Sequence, residues 1–294
     1  MTSQYNHICF YDFEATTDTS PHKAYLVSFA LDNQPVKSFY GVNCAKLFLK
    51  SMSDNTLAIA HNGGGYDISF IIDLLAYIND NPIIKNGRVL QLRGTHRVKA
   101  FKNHKWFHEY RVITFKDSYA IITKPLKAFP EMFNLDSGRK EVFPYNYYNS
   151  INVQSIYGNI DEALNYIPIN EQDQFLNNLQ ELDCVHNTSQ FNMKTYAIFY
   201  CEQDVRILHQ GFQTFRQLLL NEFNLDVYSF VSISSIANRY MEFNCYWKKS
   251  VIITVMISIR NYQSIYWIGS LRCFTCRKAI QEKVWFDLSS KGTG

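Results

Sequence analysis

The apolar run Ile8-Cys9-Phe10-Tyr11 leads without a break into Asp12-Phe13-Glu14-Ala15-Thr16. Its aromatic and β-favouring residues predict a buried strand. On a strand, alternate side chains share a face, so Asp12 and Glu14 point the same way, roughly 7 Å apart, with Cys9, Tyr11 and Phe13 opposite. Tyr25–Leu31 and Val36–Tyr40 read as two further strands, and the intervening Asp32-Asn33-Gln34-Pro35 suits a hairpin turn. Asn43 is placed to cap a helix ending at Ser51, and Leu57–Ala60 is a short, wholly apolar strand of the kind buried inside mixed sheets. After His61-Asn62-Gly63-Gly64-Gly65-Tyr66-Asp67, the apolar stretch Ile68–Ile78 predicts a helix.

Ile83–Leu92 reads as a hairpin about Asn86-Gly87, and Arg111–Asp117 as another strand. Pro125–Phe133 is short and amphipathic, and Asn134–Gly138 is a loop. From Phe143 to about Asn192 the periodicity fades, with Glu162–Leu182 only loosely helical. A strong helix then covers Met193 to Glu222, its apolar stripe running through Ile198, Cys201, Val205, Leu208, Phe212, Phe215 and Leu219. The best boundary falls near Asn221–Asp226, which divides the chain into residues 1–222 and 223–294. There is no internal repeat and no low-complexity tract.

At 294 residues and 47% hydrophobic, the chain can bury one good-sized core, and 16% aromatic with 19% charged residues argues against disorder. A net charge of +3 is compatible with nucleic acid without demanding it. The seven cysteines are odd in number and scattered, with no signal peptide ahead of Ile8, and read as reduced thiols of an intracellular protein. Cys273-Phe-Thr-Cys276 has no second pair or histidine at zinc spacing and is not read as a metal site. Val251–Ile259 is less than half a membrane span, so a soluble chain without a membrane partner is expected.

Two carboxylates side by side on a core strand repel each other and lose hydration, which divalent cations commonly offset. The triglycine lacks both the Lys-Ser/Thr of a phosphate loop and dinucleotide-fold spacing. Its better use is a sharp strand-to-helix turn that presents Asp67, with Asn62 and His61 facing the same opening. On the long helix, Tyr200 and Asp204 stand at i and i+4, on one face. Read singly, each piece has an ordinary use: solvated acids at a strand end, an aspartate favoured by a helix dipole, a core tyrosine beside a surface acid. Together, four carboxylates and a phenol are the set that two-metal hydrolysis of a phosphodiester requires.

These three pieces, in this order, resemble the exonuclease motifs of B-family DNA polymerases, in the protein-primed branch found in phages, linear organellar plasmids, adenoviruses and Maverick/Polinton transposons. Phe115-Lys-Asp117-Ser118 and Lys127-Ala-Phe129-Pro130-Glu-Met-Phe133 are similar to that branch as well, and Lys140-Glu-Val-Phe143 matches its Lys-x-x-apolar element. The resemblance covers roughly residues 5 to 245, with Ser232–Asn238 fitting the approach to the polymerase lobe. It implies an α/β, ribonuclease-H-like mixed-sheet 3′–5′ exonuclease domain followed by a short, incomplete polymerase-lobe segment.

By that resemblance Asp12, Glu14, Asp67 and Asp204 would hold two divalent ions, Mg²⁺ or Mn²⁺. Tyr200 would orient the attacking water and Lys140 would assist. His61, Asn62, Tyr66 and Ser118 would hold the 3′ end of single-stranded or primer-template DNA. A terminal protein is a further partner that the branch implies, and the nucleus or mitochondrion the compartment. The pattern also departs from the family. Ile268-Gly269-Ser270-Leu271-Arg272 keeps one glycine of a Gly-Gly hinge, and Phe286-Asp287-Leu-Ser289-Ser290 opens a palm motif that stops at Lys-Gly-Thr-Gly. A truncated polymerase, of the kind a decayed transposon copy would leave, is therefore expected. Its rivals are a catalytically inactive single-strand-binding remnant and a free-standing proofreading exonuclease.

Overall fold

The computed structural model describes residues 4–136 and 141–244. Lys140, the Cys273–Cys276 pair, the single-glycine hinge and the palm-like segment all lie outside the described residues.

The main sheet has eight strands: β1 (His7–Thr16), β2 (Lys23–Leu31), β3 (Lys37–Tyr40), β4 (Thr56–Ala60), β5 (Tyr77–Ile78), β6 (Ile83–Lys85), β7 (Arg88–Lys102) and β8 (Lys105–Asp117). Their order is β3-β2-β1-β4-β8-β7-β5, with β6 also paired to β7. Helix α1 (Cys44–Ser51) joins β3 to β4, and α2 (Phe129–Phe133) follows β8. A smaller sheet of β9 (Tyr157–Asn159), β10 (Val185–Asn187) and β11 (Gln190–Asn192) accompanies α3 (Ile160–Leu164) and α4 (Ile169–Glu181). The long helix α5 (Met193–Phe223) and then α6 (Ile233–Asn244) complete the described chain.

β4 is buried at every residue and pairs in parallel with β1 on one side and β8 on the other. A strand covered on both faces needs no polar alternation, which is why Thr56-Leu-Ala-Ile-Ala60 reads as a continuous apolar run. The C-terminal ends of β1, β4 and β8 therefore leave the sheet in the same direction. They carry Asp12 and Glu14, the triglycine turn, and Asp117-Ser118.

The alternation along β1 divides its side chains as expected. Cys9, Tyr11 and Phe13 join the core shared with Phe48 of α1, whereas Phe10 packs under α5, its ring 5.7 Å from Phe212. Helix α5 starts where Asn192 Oδ1 accepts the Thr195 N–H at 3.0 Å, and ends at Asn224 in the left-handed region, φ 54°. Past it, Leu225, Val227, Tyr228, Ile233, Ile236 and Ala237 fold back onto the core that α5 makes with Phe10 and Ile59.

Residues 68–78 are not a helix. Asp67–Phe70 and Ile72–Leu74 form separate 3₁₀ turns, and Tyr77–Ile78 pairs with β7 as β5. Ile71 and Ile72 are β-branched and lose rotamer freedom in a helix. The long β7 also offers an open edge, and the Ala76 N–H donates to Thr95 O at 2.7 Å. Asn43 precedes α1 without a side-chain cap: at φ −99°, ψ 8° its carbonyl, not its amide, meets the Leu47 N–H.

The Asn86-Gly87 hairpin forms as expected, both residues having positive φ, 51° and 73°. A second two-residue turn, Asn103-His104 at φ 52° and 59°, joins β7 to β8 and carries both strands well beyond the predicted Leu92 and Arg111. The weak stretch from Phe143 onward folds around aromatic hydroxyls. Tyr148 donates to Met193 O at 2.9 Å, Tyr196 to Val142 O at 2.5 Å, and the Tyr147 hydroxyl accepts the Asn159 N–H.

Candidate active site

Asp12 is half-buried and Glu14 buried, and both face α5. One oxygen from each, with the Sγ of Cys201, lie within 4.8 Å of one another. Among the described residues this is the single group of three such donors. Asp67 reaches the same strand from the turn after β4, its Oδ1 accepting the Phe13 N–H at 3.0 Å. Burial, together with the nearby Asp117 charge, pushes the Asp67 carboxyl up to about 7. Asp204 is also buried, 3% exposed, one turn after Tyr200. The charges of Asp12, Glu14 and Asp204 all bear on Cys201, whose thiol is raised well above its ordinary value, first by burial. The strand, turn and helix motifs thus converge.

Such a convergence of acids is unfavourable unless a cation joins it. Two carboxylates a few ångströms apart, with a third forced toward neutrality, are hard-oxygen donors for a divalent ion. The chemistry of the donor set fits the expected metals.

The triglycine turn has a packing reason for its glycines. A Cβ on Gly64 would lie 1.9 Å from the Val89 carbonyl oxygen, and one on Gly63 would lie 2.6 Å from the Ala60 Cβ. Neither could be accommodated without moving β7 or β4. Asn62 enters the turn at φ 68°, held by its N–H donating to Asp117 Oδ1 at 2.9 Å. Asp117 is fully buried and also accepts from Arg88 Nη2 at 2.7 Å and from the Tyr119 N–H at 3.0 Å. The Asn62 side chain is left exposed.

His61 and Ser118 meet each other, Nδ1 to Oγ at 2.9 Å. The Ser118 hydroxyl is also 3.1 Å from Ala60 O, and His61 Nε2 is 2.9 Å from Lys124 O. Both are used inside the protein, where they pin the end of β4 to the segment after β8. Burial, with the nearby charges of Glu14 and Asp67, raises the Tyr66 phenol to about 12, and its hydroxyl is 3.0 Å from His22 Nδ1.

Tyr200 is buried, its ring stacked on Phe143 with centroids 4.4 Å apart. Its hydroxyl is hydrogen-bonded to that of Tyr145, whose own ring is half exposed. Burial and the Asp204 charge keep the Tyr200 phenol protonated. Two residues here escaped the sequence reading. Tyr145 was lost in a tyrosine-rich stretch without periodicity, and Cys201 was absorbed into the apolar stripe of α5. Phe143, the apolar end of the Lys140 element, carried the signal: it is the residue that stacks on Tyr200.

Residues 49–266 match the family described as DNA polymerase type B, organellar and viral. The chain belongs to that family. It is 26% identical to a probable DNA polymerase of Ascobolus immersus over 192 residues, 65% of this chain and 15% of that protein. It is 29% identical to the DNA-directed DNA polymerase of Enterobacteria phage PRD1 over 140 residues, 46% of this chain and 22% of that one. A probable DNA polymerase of Neurospora intermedia matches at 24% over 67% of this chain and 20% of its own length. The chain thus spans about a fifth or less of these curated relatives.

Among solved structures, Phi29 DNA polymerase complexed with single-stranded DNA aligns with 83% of this chain and 36% of that one, at a TM-score of 0.50 and 14% identity. The same polymerase in its ternary complex with primer-template DNA and incoming nucleotides gives 0.50 over 85% of this chain and 36% of that one, also at 14% identity. The fold is the mixed-sheet, ribonuclease-H-like α/β fold. No described helix is long and apolar enough to cross a membrane.

Proposed function

We propose that residues 1–222 form a two-metal 3′–5′ exonuclease domain acting on the 3′ ends of single-stranded DNA, the proofreading part of a protein-primed DNA polymerase. Residues 223–294 would lead into the polymerase lobe, and a terminal protein would be the priming partner of the full-length enzyme. The observation that supports this reading is the Asp12–Glu14 pair on β1, with Asp67 of the triglycine turn bonded to the same strand at Phe13 and the charge of Asp204 on α5 bearing on Cys201 beside the pair.

Asp12, Glu14, Asp67 and Asp204 would hold two divalent ions, which supply charge to activate water and to stabilise the leaving oxygen. Asp67 keeps its place through the Phe13 N–H when its proton is lost. The Tyr200 hydroxyl, donor-competent and held by Tyr145, would orient the attacking water. Asn62 and Tyr66, at the mouth, would receive the terminal nucleotides, the ring of Tyr66 suiting an unstacked base of any identity. His61 and Ser118 would set the shape of that mouth, and Lys140 would assist from the Phe143 element.

The test is incubation of the purified chain with end-labelled single-stranded DNA, with and without Mg²⁺ or Mn²⁺. Metal-dependent shortening from the 3′ end is expected, and no degradation with either ion would overturn the reading. Binding without cleavage would favour the inactive single-strand-binding remnant.

A further inference from the structure

Cys201 is the one group at this site that the proposed reaction leaves unused. It follows Tyr200 on α5, precedes Asp204 by three residues, and is fully buried. Its thiol donates to the Asp12 carbonyl at 3.4 Å and lies 3.8 Å from Asp12 Oδ2. The other described cysteines are differently placed: Cys9 and Cys44 sit in the apolar core under α1, and Cys184 in the aromatic core beside α4. Only the Cys201 sulfur joins a carboxylate pair, within 4.8 Å of both.

We propose that Cys201 is a third ligand to the ion held by Asp12 and Glu14, so that this site takes thiophilic divalent ions of the zinc and cadmium class. The inference rests on the carboxylate pair being the metal site of the proposed exonuclease. Donors to zinc stand ~2.0–2.3 Å from the ion. Three donor atoms already this close need only small rotations to reach those lengths. Thiolate is a soft ligand and selects zinc-like ions over Mg²⁺, which prefers oxygen. On binding, the S–H bond breaks, its electron pair forms the sulfur–metal bond, and the proton leaves to solvent. Zn²⁺ and Cd²⁺ therefore compete with Mg²⁺ for the Asp12–Glu14 position.

The experiment titrates Co²⁺ into the full 294-residue chain carrying Cys273→Ser and Cys276→Ser, which removes the other closely spaced thiols. Sulfur-to-cobalt charge transfer in the near ultraviolet is the readout, with calorimetry reporting total binding. A saturable charge-transfer band is expected, lost in Cys201→Ser and in Asp12→Ala/Glu14→Ala. Cd²⁺ affinity should fall at least ~10-fold in Cys201→Ser, and Mn²⁺ affinity should fall less. The parent spectrum and the carboxylate variant test the point even if Cys201→Ser folds poorly. Co²⁺ bound at the carboxylates without the band, or a band surviving Cys201→Ser, overturns the ligand role and leaves the exonuclease reading standing. No binding of Co²⁺ or Mn²⁺ at all removes both.

Discussion

The hydroxyl of Tyr200 is hydrogen-bonded to the hydroxyl of Tyr145, across a gap of 55 residues in sequence. One phenol is buried beside Asp204 and the other is half exposed, so the pair links the acidic centre to the surface where a strand would arrive. Tyr200→Phe removes one oxygen and keeps the ring stacked on Phe143. Turnover should fall by ~10²-fold, the usual cost of losing a positioning contact, with single-strand affinity nearly unchanged. Tyr145→Phe should show a smaller loss, and the double variant should be no worse than Tyr200→Phe alone. Single-turnover cleavage rates and strand-binding titrations check this, and additive losses would mean the two hydroxyls act separately.

The replacement of both strand acids separates catalysis from folding. Asp12→Ala/Glu14→Ala should abolish metal-dependent cleavage while the metal-free melting temperature holds or rises, because two repelling charges are removed. Cleavage at the parent rate would exclude these residues from the site.

Arg88 and Asp117 form an ion pair in which the carboxylate is fully buried and the guanidinium partly exposed. Arg88→Met leaves that charge without its cation. Breaking such a pair from one side costs ~3–5 kcal/mol, and Arg88's partial exposure puts the expected loss near the lower end. Arg88→Met/Asp117→Asn should regain most of it, since Asn keeps an oxygen for the Asn62 and Tyr119 N–H groups. Urea unfolding of both variants measures the difference.

Lys116 lies buried with its ammonium donating to Tyr228 O at 2.5 Å and Phe230 O at 3.2 Å. Burial pulls its pKa down to about 8, against a smaller opposing effect from Asp226. The unfolded chain, with a lysine value near 10.4, therefore holds a proton that the folded chain has shed above about pH 8. This lysine's own contribution to stability rises with pH from about 8 to about 9.5, while the thiols of Cys9, Cys44, Cys184 and Cys201, raised by burial, act against it over the same window. Lys116→Met should remove the lysine's part alone, so that urea midpoints of the variant fall more steeply with pH across the window than those of the parent chain. Above this range the raised tyrosine values add to the effect of the thiols.

An unbroken apolar run made β1 legible, a turn dipeptide the Asn86-Gly87 hairpin, and a stripe of apolar residues at helical spacing α5. The three site motifs were legible for a related reason: Asp12 and Glu14, or Tyr200 and Asp204, are brought together by local geometry alone. Tyr145 and Cys201 were not, because their partners stand far away in sequence. The region around α3 and α4 was obscure since Tyr147, Tyr148 and Tyr196 build its core with rings and hydroxyls together, which erases the contrast between inside and outside. Residues 68–78 misled because an apolar run has no period that distinguishes a helix from turns feeding an edge strand.

The double parallel pairing of β4 has a consequence for how this site can change. His7 faces Thr56 and Thr56 faces Ile113, so three strands climb to the site in locked step. A slip of one residue would turn Asp12 to the opposite face, and a slip of two would carry it ~7 Å away from the glycine turn. The separation of the carboxylates is thus inherited from hydrogen bonds deep in the sheet, beyond the reach of loop insertions or deletions.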